Sequence, residues 1–176
     1  MKAYRGSIIT YPTGTRFWPT EPDPDKIDPL DIAHALSNIC RYAGHVRKFY
    51  SVGEHSCRVY ELVSKENKAH AILHDASEAY TADLVAPLKY LPEFKEYREI
   101  EERLTESVWI RFGLSGPLPE EVDIIDKQLR NNEMRDLKNI EPKNNGRAPI
   151  NMVISPWTPA RANREFLKRL AKEGLI

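Results

Sequence analysis

The chain has 176 residues, a length that fits one domain with enough interior to fold without metal or disulfide staples. Its 26 basic residues balance 26 acidic ones, so it lacks the broad positive field of a nucleic-acid binder, and the expected partner is a small molecule, with no nucleic acid polymer. No window approaches the roughly 18 uninterrupted apolar residues of a membrane span, and nothing near the N-terminus resembles a signal peptide; the expectation is a cytoplasmic protein with no membrane contact.

Residues 1–28 hold Ile8-Ile9-Thr10-Tyr11 and Thr15-Arg16-Phe17-Trp18 around Pro12-Thr13-Gly14, which predicts a small β-hairpin followed by a proline-rich loop. Asp28-Pro29 is an N-cap followed by proline in the first turn, and Ile32, Leu36, Ile39 and Cys40 recur at helical spacing, with Gly44 placed to end that helix. Ser51 and Glu54 have the spacing of a capping box, which starts a second helix at about Val52. On it His55, Val59, Leu62 and Val63 share one face, so the imidazole of His55 points inward. Cys40 and Cys57 both lie in amphipathic runs and are expected to be reduced, half-buried thiols.

A third helix is predicted over about Lys68 to Tyr80, with Ala69, Ile72, Leu73 and Ala76 buried. After a loop with Pro87 and Pro92, the positions Tyr97, Ile100, Glu101, Leu104, Val108 and Phe112 trace a long fourth helix stopped by Gly113. Pro117-Leu118-Pro119 opens a fifth, whose stripe of Val122, Ile125 and Leu129 also includes Asp126. Residues 139–157 read as loop, and 158–174 as a C-terminal helix begun by Thr158-Pro159, with Phe166, Leu167 and Leu170 inward. The predicted fold is therefore a single all-α domain over residues 1–176, a bundle of five or six helices with a small hairpin.

In the third helix His74, Asp75 and Glu78 gather along one edge, three and four residues apart. Burying such groups costs several kcal/mol unless each is paired or ligates a cation. A His-Asp dipeptide by itself arises by chance about a quarter of the time in a chain of this composition, so it decides nothing alone. His55 and Asp126, on the apolar faces of two other helices, make four inward groups of the types that hold divalent metals.

These motifs, Glu54-His55-Ser56, His74-Asp75-Ala76-Ser77-Glu78, Asp83 and Pro87-Leu88-Lys89-Tyr90, resemble those of the HD-domain phosphohydrolases, with the likeness running from about Asp31 to Arg135. The nearest resemblance is to bacterial 5′-deoxynucleotidases and to phage HD-domain enzymes that hydrolyse dNTPs. It implies His55, His74, Asp75 and Asp126 as ligands to a divalent metal, Co, Mn or Zn, with Mg or Fe as further options. Asp123 is the alternative to Asp126, but only Asp126 continues the apolar stripe. The resemblance further implies Glu78 and Asp83 as catalytic groups, and Arg41 and Tyr42 of Cys40-Arg41-Tyr42 as contacts to phosphate and to base or sugar. One residue fewer separates Arg41 from His55 than in those bacterial enzymes. Lys89 is a phosphate-facing candidate, and Gly44 and Trp18 are candidates for shaping a base pocket.

The implied activity is hydrolysis of a (deoxy)nucleotide phosphate ester by metal-activated water attacking the α-phosphorus, releasing either phosphate or triphosphate, in a homo-oligomer such as a dimer or hexamer. Two other classes stay open: a di-iron oxygenase of the HD type, which needs further histidine ligands such as His34 or His70, and a non-catalytic nucleotide or metal sensor. His34 and His70 otherwise read as structural, and His45, Arg47 and Lys48 as a solvated basic stretch with a possible phosphate-facing role. Tyr80, Tyr90, Phe94, Tyr97 and Trp109 read as packing residues.

Overall fold

In the computed structural model, which describes residues 6–141 and 150–176, two short strands, β1 (Ile8–Ile9) and β2 (Arg16–Phe17), pair antiparallel with Ile8 opposite Phe17. The turn between them is tied to the first helix, α1 (Pro29–Asn38), by one carboxylate. Asp31 accepts from the Thr10 hydroxyl at 2.6 Å, the Thr13 hydroxyl at 2.6 Å and the Thr13 N–H at 2.9 Å, which satisfies a side chain that is almost fully buried.

Asp28 caps α1 by accepting from the Leu30 N–H, as its position before Pro29 predicts. The helix ends at Asn38, six residues before Gly44. Backbone bonds explain the early stop: Val52 N–H donates to Ile39 C=O, Arg41 N–H donates to Tyr50 C=O, and Cys40 and Ser51 form an antiparallel bridge. Gly44 does take a left-handed φ of 80°, but in a tight turn over Arg41–Gly44, where Tyr42 and Ala43 also have positive φ of 59° and 51°. A non-glycine residue held there costs on the order of 1 kcal/mol or more, and this turn is what presents Arg41 and Tyr42.

Helix α2 (Val52–Leu62) begins where the sequence places it, with the Ser51 hydroxyl accepting from the Glu54 N–H. Glu54 does not return the bond in a capping box. Its carboxylate instead accepts from Arg58 and from the Trp157 N–H, joining α2 to the segment before the last helix. At Gly53 α1 passes so close that a Cβ would meet Ser37 Oγ at 3.0 Å and the Leu36 carbonyl carbon at 3.2 Å. Gly53→Ala is expected to lower stability by about 1–3 kcal/mol, seen as a reduced urea midpoint, whereas an unchanged midpoint would mean the two helices slide apart freely.

The predicted third helix is broken. It forms α3 (Lys68–Leu73), then tight turns over residues 74–77, then α4 (Glu78–Thr81). The His74 ring takes the Ala71 carbonyl at 2.8 Å, and the following N–H groups of Ala76, Glu78, Ala79 and Tyr80 bond three residues back, which tightens the chain here. After α5 (Ala86–Lys89), α6 (Lys95–Phe112) ends at Gly113 in the left-handed region as expected, and α7 (Glu120–Lys138) ends at Asn139. The last helix, α8 (Pro159–Lys172), is capped by the Thr158 hydroxyl. The fold is thus mostly helical, with eight α-helical segments among the described residues instead of five or six, because the third is split and α5 is an added short turn. Of the expected loop 139–157, residues 142–149 lie outside the described residues, and the rest holds neither helix nor strand.

The core forms where α1, α2 and α8 meet, with Ile32, Leu36, Val59, Phe166 and Leu170 inaccessible to solvent. Each such side chain contributes about 1.5–3 kcal/mol of transfer free energy, enough to hold a buried polar centre beside it. Cys57 is fully buried, not half-buried as the sequence suggests, and burial pushes its thiol up to about 12; Cys40 is the half-buried one, and both are free. No helix among the described residues is long and apolar enough to cross a membrane.

Candidate metal centre

Three of the sequence-derived groups meet at one point. The ligand atoms of His55 on α2, and of His74 and Asp75 in the turn after α3, all lie within 4.8 Å of one another. His74 Nε2 is 3.2 Å and His55 Nε2 3.8 Å from Asp75 Oδ2. Asp126 joins from α7, with Oδ1 3.0 Å from His55 Nε2. Two ligands on one ion at about 2.1 Å stand about 3.0–3.4 Å apart; the His74–Asp75 and His55–Asp126 separations match that spacing, and the His55–Asp75 separation exceeds it by a few tenths of an ångström. Asp123, the alternative, faces outward and pairs with Lys127.

The tautomers fit as well. His74 Nδ1–H donates to the Ala71 carbonyl, and His55 Nδ1 lies 2.7 Å from Glu133 Oε1, which leaves Nε2 of each ring as the nitrogen able to ligate a cation. Both Nε2 atoms are buried and lack an aligned hydrogen bond, even though Asp126 approaches His55 closely. Buried polar nitrogens without partners are rare, and two of them aimed at the same carboxylates are what a cation site requires.

Electrostatics prepares the carboxylates. Burial opposes ionisation of Asp75, but His74, His55 and Arg41 hold it well below the usual carboxylate range. For Asp126 burial is likewise outweighed, chiefly by His55. Burial and Arg41 favour a neutral His55, yet the Glu133 and Asp126 carboxylates push it up to about 9, so a metal taken up here would have to displace a proton from this ring.

Beside the group opens a cavity of about 510 Å³, within the size range of small-ligand sites. Asp75, Asp126, Glu78 and Asp83 line it together with Arg41, Tyr42 and Lys89, so each predicted catalytic and substrate-binding residue reaches it. Glu78 is buried with one oxygen unpartnered, and burial, with the Asp75 and Asp83 charges next, raises its carboxyl well above the ordinary range and favours the protonated form. Asp83 accepts from the Tyr42 N–H at 3.2 Å and so holds the strained turn. Arg41 reaches Asp75 Oδ2 at 3.3 Å. Lys89 is at the wall but is paired with Glu101 at 2.7 Å, which tethers its charge.

Trp18 and Gly44 do not line the cavity; Trp18 lies beneath Lys26 instead. His34 packs edge-on against Tyr11 and His70 against Trp109, also outside it. Tyr80 stacks on Phe17 as a packing residue, whereas Tyr90, read as packing, stands at the cavity wall and is 73% exposed.

Sequence reasoning missed Arg130, Met134 and Lys138 on the cavity wall and the buried Glu133 behind it. The signal was present: counting by fours from Asp126 along α7 gives Arg130, Met134 and Lys138, and Glu133 lies two turns on. His45, in the basic stretch, also reaches the wall.

The fold and site together define a mostly helical protein with a histidine-carboxylate group beside a charged cavity. No family model matches the chain. It is 38% identical over 131 residues to the uncharacterized protein YfdR of Escherichia coli strain K12, covering 74% of this chain and 72% of YfdR. It is also 38% identical over 116 residues to the uncharacterized protein RCAP_rcc00048 of Rhodobacter capsulatus, covering 61% of this chain and 59% of that protein. The chain belongs to the family of YfdR.

Proposed function

We propose that this chain is an HD-type, metal-dependent phosphohydrolase acting on a (deoxy)nucleotide. The observation that carries the reading is the pair of buried Nε2 atoms of His55 and His74, neither with an aligned hydrogen bond, converging with Asp75, and with Asp126 beside His55, at the edge of a cavity that is also lined by cationic side chains. His55, His74, Asp75 and Asp126 hold the metal, with Co, Mn or Zn matched to the two nitrogen and two oxygen donors. When bound, it supplies Lewis acidity and makes water ionisable near neutral pH.

The chain's own residues do the rest. Arg41, held by Asp75, faces phosphate, and Arg130 and Lys138 line the same wall with no ion pair among the described residues. These positive charges offset the negative charge that spreads over the phosphate oxygens as the P–O bond lengthens. Glu78, its proton retained by burial, donates that proton to the leaving oxygen as the bond breaks. Tyr42, fixed through its N–H to Asp83, sits where the sugar or base meets the wall.

The test is incubation of the full chain with dAMP and with dATP in the presence of Co²⁺, Mn²⁺ or Zn²⁺, with products separated by chromatography. Nucleoside with phosphate identifies a monophosphatase, and nucleoside with triphosphate a triphosphohydrolase. No turnover of any nucleotide under all three metals rejects the proposal.

A further inference from the structure

Glu133 is the most deeply buried acid near the centre, with a fully inaccessible side chain, and its two oxygens serve two different groups. Oε1 faces His55 Nδ1 at 2.7 Å. Oε2 accepts from the Tyr42 hydroxyl and lies 3.5 Å from Arg41 Nε. Neither oxygen opens onto the cavity, whose wall is formed instead by Arg41, Tyr42 and the α7 neighbours Arg130 and Met134. A buried carboxylate placed only for stability is an expensive choice, because an apolar residue of the same volume serves as well or better. Its conspicuous property here is that, while not itself one of the metal group, it is bonded both to His55 of that group and to Arg41 and Tyr42 of the substrate wall.

We infer that Glu133 is a positioning residue that locks His55 with Nε2 toward the metal and, through its other oxygen, fixes Arg41 and Tyr42 in register with that metal. This inference rests on the proposed metal centre and adds a link between metal capture and substrate binding. With Oε1 occupied by the Nδ1–H, the ring cannot rotate or present its other nitrogen. With Oε2 occupied, the guanidinium and the phenol on their strained turn keep one position relative to the ligand set. Removing the carboxylate therefore releases both sides at once, whereas Tyr42→Phe releases only the phenol.

The experiment compares wild type, Glu133→Ala, Glu133→Gln and Tyr42→Phe as full-length chains, each first checked for helical content by circular dichroism. Co²⁺ affinity is read by calorimetry, the His55 ring protons by long-range ¹H–¹⁵N correlation of the metal-loaded protein, and kcat and KM on the nucleotide that wild type turns over. Glu133→Ala is expected to lose about 10–100-fold in Co²⁺ affinity, and the His55 Nδ1–H resonance to broaden or move. Glu133→Gln, which keeps an acceptor for Nδ1–H but loses the anion beside Arg41, is expected to recover most of the Co²⁺ affinity while its KM stays raised. Tyr42→Phe is expected to leave Co²⁺ affinity unchanged. Should Glu133→Ala not fold, the Gln variant decides alone: metal binding near wild type with raised KM supports the link, and wild-type values of both overturn it. A folded Glu133→Ala that binds Co²⁺ as wild type does also overturns it. If wild type binds Co²⁺ but hydrolyses no nucleotide, the phosphohydrolase reading fails while the metal and ring readouts still decide the role of Glu133. If wild type binds no divalent metal, the inference falls together with the metal centre.

Discussion

His74→Ala and Asp75→Ala should each abolish stoichiometric metal binding and lower kcat/KM by about three orders of magnitude or more. The size follows from the several kcal/mol of charge stabilisation that a bound cation supplies, at 1.36 kcal/mol per tenfold in rate. Asp75 is the harsher position, because its Oδ2 lies within 3.2–3.8 Å of both imidazole Nε2 atoms and 3.3 Å from Arg41. Its removal leaves three cationic or ionisable groups facing one another without the anion that separates them. The His74 change also frees the Ala71 carbonyl, so the turn over residues 74–77 loosens while the helices that carry the core persist. Metal content and steady-state kinetics check both variants. Full activity in Asp75→Ala contradicts the assignment outright.

The second large effect belongs to Glu78. Glu78→Gln should retain metal, since Glu78 lies outside the His55, His74 and Asp75 group and, unlike Asp126, is not paired with either imidazole, yet lose about 10²–10⁴ in kcat through loss of its transferable proton. Burial, then the Asp75 and Asp83 charges, favour the protonated carboxyl, which is the form an acid catalyst needs. Because Gln has nearly the same shape, packing is spared. The loss should shrink on a p-nitrophenyl phosphate ester, whose leaving oxygen needs no proton, so the ratio of the two losses is the informative reading. An equal loss on both substrates, or loss of metal, assigns Glu78 a different part.

Much of this arrangement was legible from the residues. Apolar periodicity and capping signals found α1, α2, α6, α7 and α8, because Asp28, Ser51, Thr158 and Gly113 each act within a turn of the helix end that they mark. The placement of His55 and Asp126 on otherwise apolar stripes was legible for the same reason. What escaped was anything set by contacts across the fold. The early end of α1 depends on a bridge between Cys40 and Ser51, and the break after Leu73 depends on one imidazole capturing a backbone carbonyl. Neither leaves a periodic trace. Glu133 escaped for another reason: a lone acid among Asn131, Asn132 and Met134 looks like helix surface, and only the approach of α2 and of the Arg41–Gly44 turn makes it a buried hub. The α7 cations, by contrast, recur at fours from Asp126, but a charged helix edge of this kind is usually a solvated face, and only the packing of Tyr42 against Lys138 makes it a cavity wall.

The most direct test of the whole account is a crystal structure of the Co²⁺-loaded chain, with anomalous scattering measured at the cobalt edge. The account predicts one strong peak at about 2.0–2.2 Å from Nε2 of both imidazoles and from oxygens of Asp75 and Asp126, with the Glu133 carboxylate remaining on His55 Nδ1. A cobalt ion bound elsewhere, or none at this point with the four side chains ordered, contradicts it.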